Sequence, residues 1–131
     1  MALCAPRSLA GVFVARSSRH GRGVFAARRF EADDIVEDCP VLLVPAGAVV
    51  ALGLDGYCFE WEDDQCAIAL GYGSLYNHSW HPNARYDYDH RAGIVSYSAV
   101  RPIEPGEEIT INYSGEPEAR ADLWFEARPP T

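Results

Sequence analysis

Residues 71–83, which read GYGSLYNHSWHPN, are the stretch around which the rest of this chain is organised. The stretch places glycines, a small hydroxyl, aromatic rings, two asparagines and two histidines in thirteen positions. Its apolar residues follow neither a helical nor a strand period, which indicates that they do not primarily fill a core. We therefore predict that this segment forms a functional site.

Two further motifs flank this stretch, GRG at residues 21–23 and GEEITINY at residues 106–113. Together with NHSWHPN at residues 77–83, they closely resemble the signature set of SET-domain methyltransferases, which transfer a methyl group from S-adenosylmethionine to a lysine side chain. A single G-x-G or N-H-S is weak because such tripeptides occur by chance, whereas three motifs in order are specific. The resemblance indicates a compact, stand-alone member of the family without pre-SET or cysteine-rich post-SET segments.

The length and hydropathy of the chain predict one domain. Its 131 residues, of which 48% are hydrophobic, can form a single core. We expect one SET domain over residues 1–131, with the core at about 12–125 and a disordered tail at 126–131. No apolar run is long enough for a membrane span, and the N-terminus has no secretory signal pattern. The sequence thus predicts an intracellular protein, cytoplasmic or nuclear, that is not secreted.

The net charge of -8 argues against direct binding of nucleic acid, whose phosphates require clustered basic side chains. A basic peptide is the natural complement of this charge, although composition alone favours the simpler interpretation that acidity keeps the protein soluble. The four cysteines form no C-x-x-C pair, so neither a zinc cluster nor a disulfide framework is predicted.

Short β-branched and aromatic runs separated by turn residues predict a mainly β fold with little helix. Strands are expected at residues 12–14, 24–26, 35–37, 41–44, 57–61, 66–70, 84–88, 94–98 and 109–111. Pro40 is expected to separate the third strand from the fourth, and residues 46–54 and 116–125 to form short helical pieces. The resemblance implies the SET fold, a β-clip of small curved sheets whose C-terminal, pseudoknot-like crossing brings the Asn77 and Tyr113 regions together.

The glycines at positions 21 and 23 have two interpretations. They can form a tight turn that needs positive φ, or they can let a ligand lie against bare backbone. The resemblance implies the second, because in the family this motif contacts the methionine part of the cofactor. Gly21, Arg22 and Gly23 are thereby predicted to bind S-adenosylmethionine.

The resemblance also assigns Tyr76, Asn77 and His78 to the cofactor. The Asn77 side chain offers a donor and an acceptor that suit an amino-acid group, and the His78 backbone is expected to read the purine edge. An isolated histidine is more often a capping or surface residue, but three motifs in register reverse that preference. No metal is predicted, since His78 and His81 lack a clear third ligand.

The lysine acceptor needs an apolar channel. Only the neutral amine attacks, and at about pH 7.4 its fraction is on the order of 10⁻³, a penalty of ~4 kcal/mol that desolvation reduces. We expect the substrate channel to be formed by Tyr57, Ile111, Trp124 and Phe125, with Tyr76 as a further aromatic wall. For Tyr57, Trp124 and Phe125, core packing is at least as good an interpretation.

Tyr113 is the predicted catalytic residue, because it occupies the position of the catalytic tyrosine in the closing motif of the family. A phenol with a pKa near ~10 is neutral, so its expected role is to position the amine and not to act as an obligate base. The family often has Phe or Tyr two positions earlier, where this chain has Ile111, so the number of methyl groups transferred stays open.

The sequence therefore predicts an S-adenosylmethionine-dependent protein-lysine N-methyltransferase acting on a basic protein or peptide, such as a histone-like tail. The alternative is a non-catalytic SET module that binds S-adenosylmethionine or a lysine-containing peptide. A purely structural β-domain for oligomerisation is a third interpretation, disfavoured by the polar loop at residues 77–83. A homodimer stays open, because a domain this short can complete its site with a neighbour.

Overall fold

The computed structural model describes residues 11–118 and contains two small sheets, one short helix and one 3-10 turn. The elements are β1 (Val12–Arg16), β2 (Arg22–Ala26), β3 (Ile35–Pro45), α1 (Ala46–Ala51), the 3-10 turn (Asp55–Tyr57), β4 (Cys58–Glu60), β5 (Gln65–Ala69), β6 (Asn77–His78), β7 (Ala84–Asp89), β8 (Ile94–Ala99) and β9 (Glu108–Ile111). The predicted mainly β fold is confirmed. The helices within residues 11–118 are all too short to cross a membrane.

The first sheet has the strand order β1-β2-β9-β6 and joins the three sequence motifs. Its one parallel pair is β6 with β9, in which Asn77 lies opposite Thr110 and His78 opposite Ile111. The Ser79 N–H extends this pairing by donating to the Ile111 carbonyl at 2.9 Å. The chain therefore returns from a distant position to lie beside the central motif, as the predicted crossing requires.

The second sheet has the order β4-β5-β3-β8-β7, and its long central strand β3 corrects one prediction. Pro40 was expected to break this segment, but β3 is continuous from Ile35 to Pro45. Its first half pairs with β8 and its second half, from Val41, pairs with β5. A proline lacks only the donor, and at this change of partner the Pro40 carbonyl still accepts from Leu70 N–H at 2.9 Å.

The other predicted elements agree with the structure to within a few residues, apart from the C-terminal helical piece. Tyr57 lies in the 3-10 turn before β4 and not in the strand itself. Most of the piece predicted at residues 116–125 is outside the described residues, and residues 116–118 form turns. The predicted hairpin of β7 and β8 is present in full register, from Ala84 opposite Ala99 to Asp89 opposite Ile94.

The core lies between the inward faces of the two sheets. Its buried residues from the first sheet include Val24, Ile109 and Ile111, and those from the second include Cys39, Val95 and Tyr97. Tyr76 stacks on Tyr97 with ring centroids 4.4 Å apart. This pair extends the core beneath the loop at residues 70–76, which leads into the central motif.

Gly73 lies in this loop in a place where no side chain fits. A Cβ there would lie 2.5 Å from the Ala69 Cβ, 2.9 Å from the Cys39 sulfur and 3.0 Å from the Tyr97 hydroxyl oxygen. All three neighbours are themselves buried. The loop can therefore pack onto β3, β5 and β8 only because residue 73 is a glycine.

Replacing Gly73 with alanine is expected to lower the free energy of unfolding by about 1–3 kcal/mol, because the neighbours are too tightly packed to move aside. Gly47→Ala is the matched control. Gly47 lies in α1 with open space around the added methyl, so this change should raise the free energy of unfolding by up to ~1 kcal/mol. Urea unfolding followed by tryptophan fluorescence measures both. Equal stability of Gly73→Ala and the wild type would contradict the packing argument.

Candidate active site

Asn77 lies on β6 and connects the three motifs through its side-chain amide. The amide nitrogen donates to the Arg22 carbonyl at 3.0 Å and to the Glu108 carboxylate at 2.8 Å. It also lies 3.4 Å from the His20 carbonyl oxygen. Because Asn77 is buried, with 8% of its surface exposed, these contacts hold the G-x-G turn against β9.

Glu108 is the acceptor at the centre of this set, and the sequence analysis gave it no role. Its carboxylate accepts from the Ser17 hydroxyl at 2.8 Å as well as from Asn77. The Arg19 side chain lies 3.7 Å from the same carboxylate. Glu108 therefore holds the first half of the turn that connects β1 to β2 directly, and it holds the second half through Asn77.

The two glycines of the G-x-G motif serve different purposes. Gly21 is exposed, has a φ of +53° and has no heavy atom near the position of a Cβ, so it supplies the positive φ of the turn. A Cβ at Gly23 would collide with the Glu108 carboxylate and lie 2.8 Å from the Asn77 amide nitrogen. Bare backbone at Gly23 thus accommodates the protein's own polar groups, whereas the open side of Gly21 is accessible from solvent.

Asn83 closes the same region from the other end of the central motif. Its side chain accepts from Thr110 N–H at 2.8 Å and donates to the Glu108 carbonyl at 2.8 Å. Asn83 is fully buried, and its side chain also donates to the carboxylate of Glu107, the residue before β9. Its amide therefore fixes the path of β9 without touching the G-x-G turn.

Tyr113 follows β9 and is bound to the central motif at two points. Its hydroxyl donates to the Tyr76 carbonyl at 2.6 Å, and its backbone N–H donates to Nδ1 of His78 at 3.0 Å. Burial of the hydroxyl raises the pKa of Tyr113 to about 12, and the neighbouring Tyr86 adds to this increase. The phenol is therefore neutral at physiological pH, as the sequence analysis expected.

Tyr113 is one of the residues that line a cavity of about 590 Å³. The aromatic lining residues of this cavity are Tyr57, Phe59, Tyr76, Tyr86, Tyr88 and Tyr113. Its carboxylates come from Asp55, Glu60, Asp87 and Glu116. The cavity therefore combines a surface that desolvates an amine with charges that attract a cation.

The predicted channel residues have different positions in the structure. Tyr57 is 53% exposed and lines the cavity. Ile111 is not among the lining residues and lies in the core, with 1% of its surface exposed. Trp124 and Phe125 lie outside the described residues.

Tyr76 lies where the cavity meets the core. It was predicted as an aromatic wall and as a cofactor-binding residue, and it is one of the residues that line the cavity, although only 1% of its surface is exposed. The hydroxyl points away from the motif and donates to the buried Glu37 carboxylate at 2.7 Å. What Tyr76 offers to the site is its backbone carbonyl, which accepts from Tyr113.

Tyr86 and Tyr88 are cavity residues that the sequence analysis missed. Tyr86 and Tyr88 are two positions apart on β7, so their side chains lie on the same face of the strand. The sequence does not show which face meets the site; this follows from the position of β7 at the edge of its sheet. The Tyr86 hydroxyl lies within hydrogen-bonding distance of the Tyr113 carbonyl, at 3.4 Å. Tyr86 thus contributes to the same wall as Tyr113.

The hydrogen-bond acceptors near Gly21 suit a cationic amino group. The carbonyls of His20 and Arg22 and the side chain of Asn77 converge beside the open backbone of the turn. Carbonyl oxygens have a second lone pair that can accept from an ammonium. Within residues 11–118, no three histidine, cysteine or acidic side chains are grouped so that they could hold a metal ion.

Comparisons with known proteins match this arrangement. The SET domain family model matches residues 21–114. The chain is 35% identical over 114 residues to a histone-lysine N-methyltransferase of Schizosaccharomyces pombe that is specific for lysine 37 of H3, covering 84% of this chain and 74% of that protein. The crystal structure of a candidate histone methyltransferase from Plasmodium falciparum superposes with a TM-score of 0.70 and 27% identity, covering 88% of this chain and 96% of that one.

A more distant similarity supports the fold alone. A humanised mutant of the Chaetomium thermophilum Polycomb Repressive Complex 2 superposes with a TM-score of 0.66 at 22% identity, covering 78% of this chain and 14% of that one. The family match spans most of the chain, and it includes the G-x-G turn, the Asn77 motif and Tyr113. This chain belongs to the SET-domain family.

Proposed function

We propose that this chain is an S-adenosylmethionine-dependent protein-lysine N-methyltransferase acting on a basic protein or peptide such as a histone tail. The observation that carries the proposal is that the Tyr113 hydroxyl donates to the carbonyl of Tyr76, the residue before Asn77, at 2.6 Å, while Tyr113 also lines the aromatic cavity. The Schizosaccharomyces pombe relative, a histone-lysine N-methyltransferase, supports the substrate class. A histone substrate implies a nuclear location.

The residues near the G-x-G turn fit the cofactor. Gly21, Arg22 and Gly23 offer backbone, and Asn77 with the neighbouring carbonyls offers acceptors for the ammonium of the methionine part. The backbone of His78 is the remaining proposed contact, with the purine edge of the cofactor. When bound, S-adenosylmethionine supplies a methyl group already activated by a positive sulfonium, so the protein has to position two reactants and exclude water.

The cavity fits a lysine side chain. Carboxylates such as Glu60 and Asp55 attract the ammonium, and the rings of Tyr57 and Tyr86 enclose the aliphatic stem. Removal of water beside these rings disfavours the charged amine and reduces the ~4 kcal/mol needed to deprotonate it. Water can carry the proton away.

Tyr113 positions the amine. Because its hydroxyl hydrogen is committed to the Tyr76 carbonyl, the lone pairs of the hydroxyl oxygen are available to accept from the amine N–H. Acceptance of this hydrogen bond directs the nitrogen lone pair away from the hydroxyl. The tyrosine therefore orients the nucleophile without having to remove a proton.

The experiment that tests the function is titration of the purified protein with S-adenosylmethionine, followed by a methyl-transfer assay on histones and other basic proteins. Mass spectrometry of the products identifies the lysine and its methylation state. The chain contains no lysine, so methylation of lysine in the assay has to be on the added protein. Binding without transfer to any lysine would favour the non-catalytic module, and no binding would overturn the proposal.

Replacing Tyr113 with phenylalanine is expected to reduce turnover at least ~10²-fold while leaving cofactor affinity nearly unchanged, because only the orienting hydroxyl is lost. Tyr72→Phe is the control. It removes a hydroxyl from a half-buried tyrosine that does not line the cavity, and turnover should be unchanged. Steady-state kinetics and calorimetric titration measure the two effects. Wild-type turnover in Tyr113→Phe would remove this residue from the mechanism.

Replacing Asn77 with alanine is expected to weaken S-adenosylmethionine binding at least ~10-fold, or about 1.4 kcal/mol. The variant loses the side-chain amide that we propose accepts from the cofactor and that bonds to the Arg22 carbonyl. Asn83→Ala is the matched control, a buried asparagine that bonds to β9 but not to the turn. Both variants should lose stability, but the folded fraction of Asn83→Ala should bind with wild-type affinity. Equal affinity in the two variants would exclude a cofactor role for Asn77.

Methyl transfer is expected to accelerate as the pH rises from about 7 to about 9.5, because the neutral fraction of the lysine amine increases with pH. Tyr113, whose pKa is raised to about 12, stays protonated throughout this range and contributes no decline. The measurement is kcat against pH for the wild type and for Tyr113→Phe, and the two profiles should have the same shape. A falling limb below about pH 10 that disappears in the variant would show that Tyr113 ionises during turnover.

A further inference from the structure

Glu37 is a buried carboxylate behind the site, and none of the three motifs contains it. It lies on β3 with 3% of its surface exposed. One carboxylate oxygen accepts from the Tyr76 hydroxyl at 2.7 Å, and the other accepts from the Tyr72 N–H at 3.0 Å. Within residues 11–118, no arginine or histidine forms an ion pair with it. Its burial is therefore balanced by hydrogen bonds to the loop at residues 70–76.

This loop is built around the carboxylate. Gly71 has a φ of +67°, and a Cβ there would collide with the Glu37 carboxylate, so the backbone approaches the charge directly. The Tyr97 hydroxyl secures the next part of the loop by donating to the Gly73 carbonyl at 2.7 Å. Glu37 thus binds the start of the loop through Tyr72 and its end through Tyr76.

The end of the loop is the part that meets the reacting groups. Tyr76 is held at its hydroxyl by Glu37 and stacks on Tyr97, and its backbone carbonyl accepts from the Tyr113 hydroxyl at 2.6 Å. The direction of that carbonyl depends on where the Tyr76 ring is anchored. A displacement of the ring is therefore transmitted to the acceptor that orients Tyr113.

We propose that Glu37 is a positioning residue for methyl transfer, which fixes Tyr76 and thereby aims the carbonyl that orients the Tyr113 hydroxyl. The proposal rests on the proposed function, since it assigns Glu37 a part in that reaction. Glu37 does not touch the substrate or the cofactor. Its effect on the reaction passes through Tyr76 and Tyr113.

Glu37→Gln tests the proposal with almost no change in volume. A carboxylate accepts at both oxygens, whereas an amide has one acceptor and one donor, so the bonds to Tyr72 and Tyr76 cannot both be kept in their present form. Asp38→Asn is the matched control. It is the same chemical change at the next position of β3, on an exposed side chain that contacts Ser96 on the other face of the sheet.

The kinetic experiment compares Glu37→Gln, Tyr113→Phe and the double variant. Glu37→Gln should reduce kcat at least ~10-fold with cofactor affinity within ~2-fold of the wild type, and Asp38→Asn should change neither. In the Tyr113→Phe background, Glu37→Gln should cause no further loss of kcat, because the hydroxyl that it positions is absent. If the Glu37 carboxylate only stabilised the fold, Glu37→Gln would lower kcat by the same factor in the wild-type and Tyr113→Phe backgrounds. That result would overturn the proposal.

A readout independent of turnover separates this proposal from the proposed function. The protein contains seven tyrosines, so labelling them with ¹³C at the ring carbon that bears the hydroxyl gives a simple spectrum. The Tyr113 resonance is assigned as the one missing from Tyr113→Phe. It should shift in Glu37→Gln and stay unchanged in Asp38→Asn, whether or not a methyl acceptor has been found.

Tyr76→Phe is the second variant, for use if Glu37→Gln does not fold. It removes the Glu37–Tyr76 hydrogen bond and keeps the Tyr76 carbonyl, so the same shift of the Tyr113 resonance and the same direction of change in kcat are expected. An unchanged Tyr113 resonance in every folded variant would overturn the positioning role. A wild-type protein that transfers no methyl group, with the resonance shifted as expected, would count against the proposed function alone.

Discussion

The parallel pairing of β6 with β9 is the constraint on which the site depends. Two residues on each strand define the register, Asn77 with Thr110 and His78 with Ile111. A pairing this short has few backbone hydrogen bonds, so side chains have to hold it in place. Asn77, Asn83 and Glu108 do so, because each bonds across the crossing to a segment far away in sequence. The polar composition of the central motif is thus required by the fold as well as by the chemistry.

Buried polar groups make this arrangement specific. An unpaired amide or carboxylate in the core is destabilising by roughly 1–3 kcal/mol, so a register that left Asn83 or Glu108 without partners would be disfavoured. The side-chain amides of Asn77 and Asn83 donate to acceptors on β9, at Glu107 just before it, or at the G-x-G turn. The same bonds that select the crossing also bring Tyr113 to the Tyr76 carbonyl. Fold specificity and the geometry of the site therefore have a common origin.

The sequence predicted the elements that depend on local patterns and the residues covered by motifs. Period two predicted β7 and β8, and the motif set predicted that the Asn77 and Tyr113 regions come together, as the contacts of Tyr113 with Tyr76 and His78 show. The sequence did not predict that β3 is continuous. A proline interrupts a strand only where a neighbouring strand would accept a hydrogen bond from the missing N–H, and the order of strands in the sheet decides this. The path of the backbone in three dimensions decided this outcome.

Orientation was the other property that sequence could not supply. Tyr76 was predicted as an aromatic wall and a cofactor-binding residue; its ring packs on Tyr97 in the core, and its carbonyl accepts from the Tyr113 hydroxyl. Ile111 was assigned to the channel and lies in the core, and it is not among the residues that line the cavity. Nothing in the pattern of β3 distinguishes the buried Glu37 from the exposed Asp38. Which of two neighbouring acids points inward follows only from the sheet on which they lie.

The structure also relates the acidity of the chain to the cavity. Arg85 pairs with Asp87 and Glu116, which compensates much of the charge at that edge. Within residues 11–118, neither Asp55 nor Glu60 forms an ion pair, and both line the cavity. Negative charge is therefore left uncompensated at the cavity that we propose for the lysine side chain, next to rings whose exclusion of water disfavours the charged amine. Attraction of the cation and its deprotonation can then occur in succession along one path, which general surface acidity would not provide.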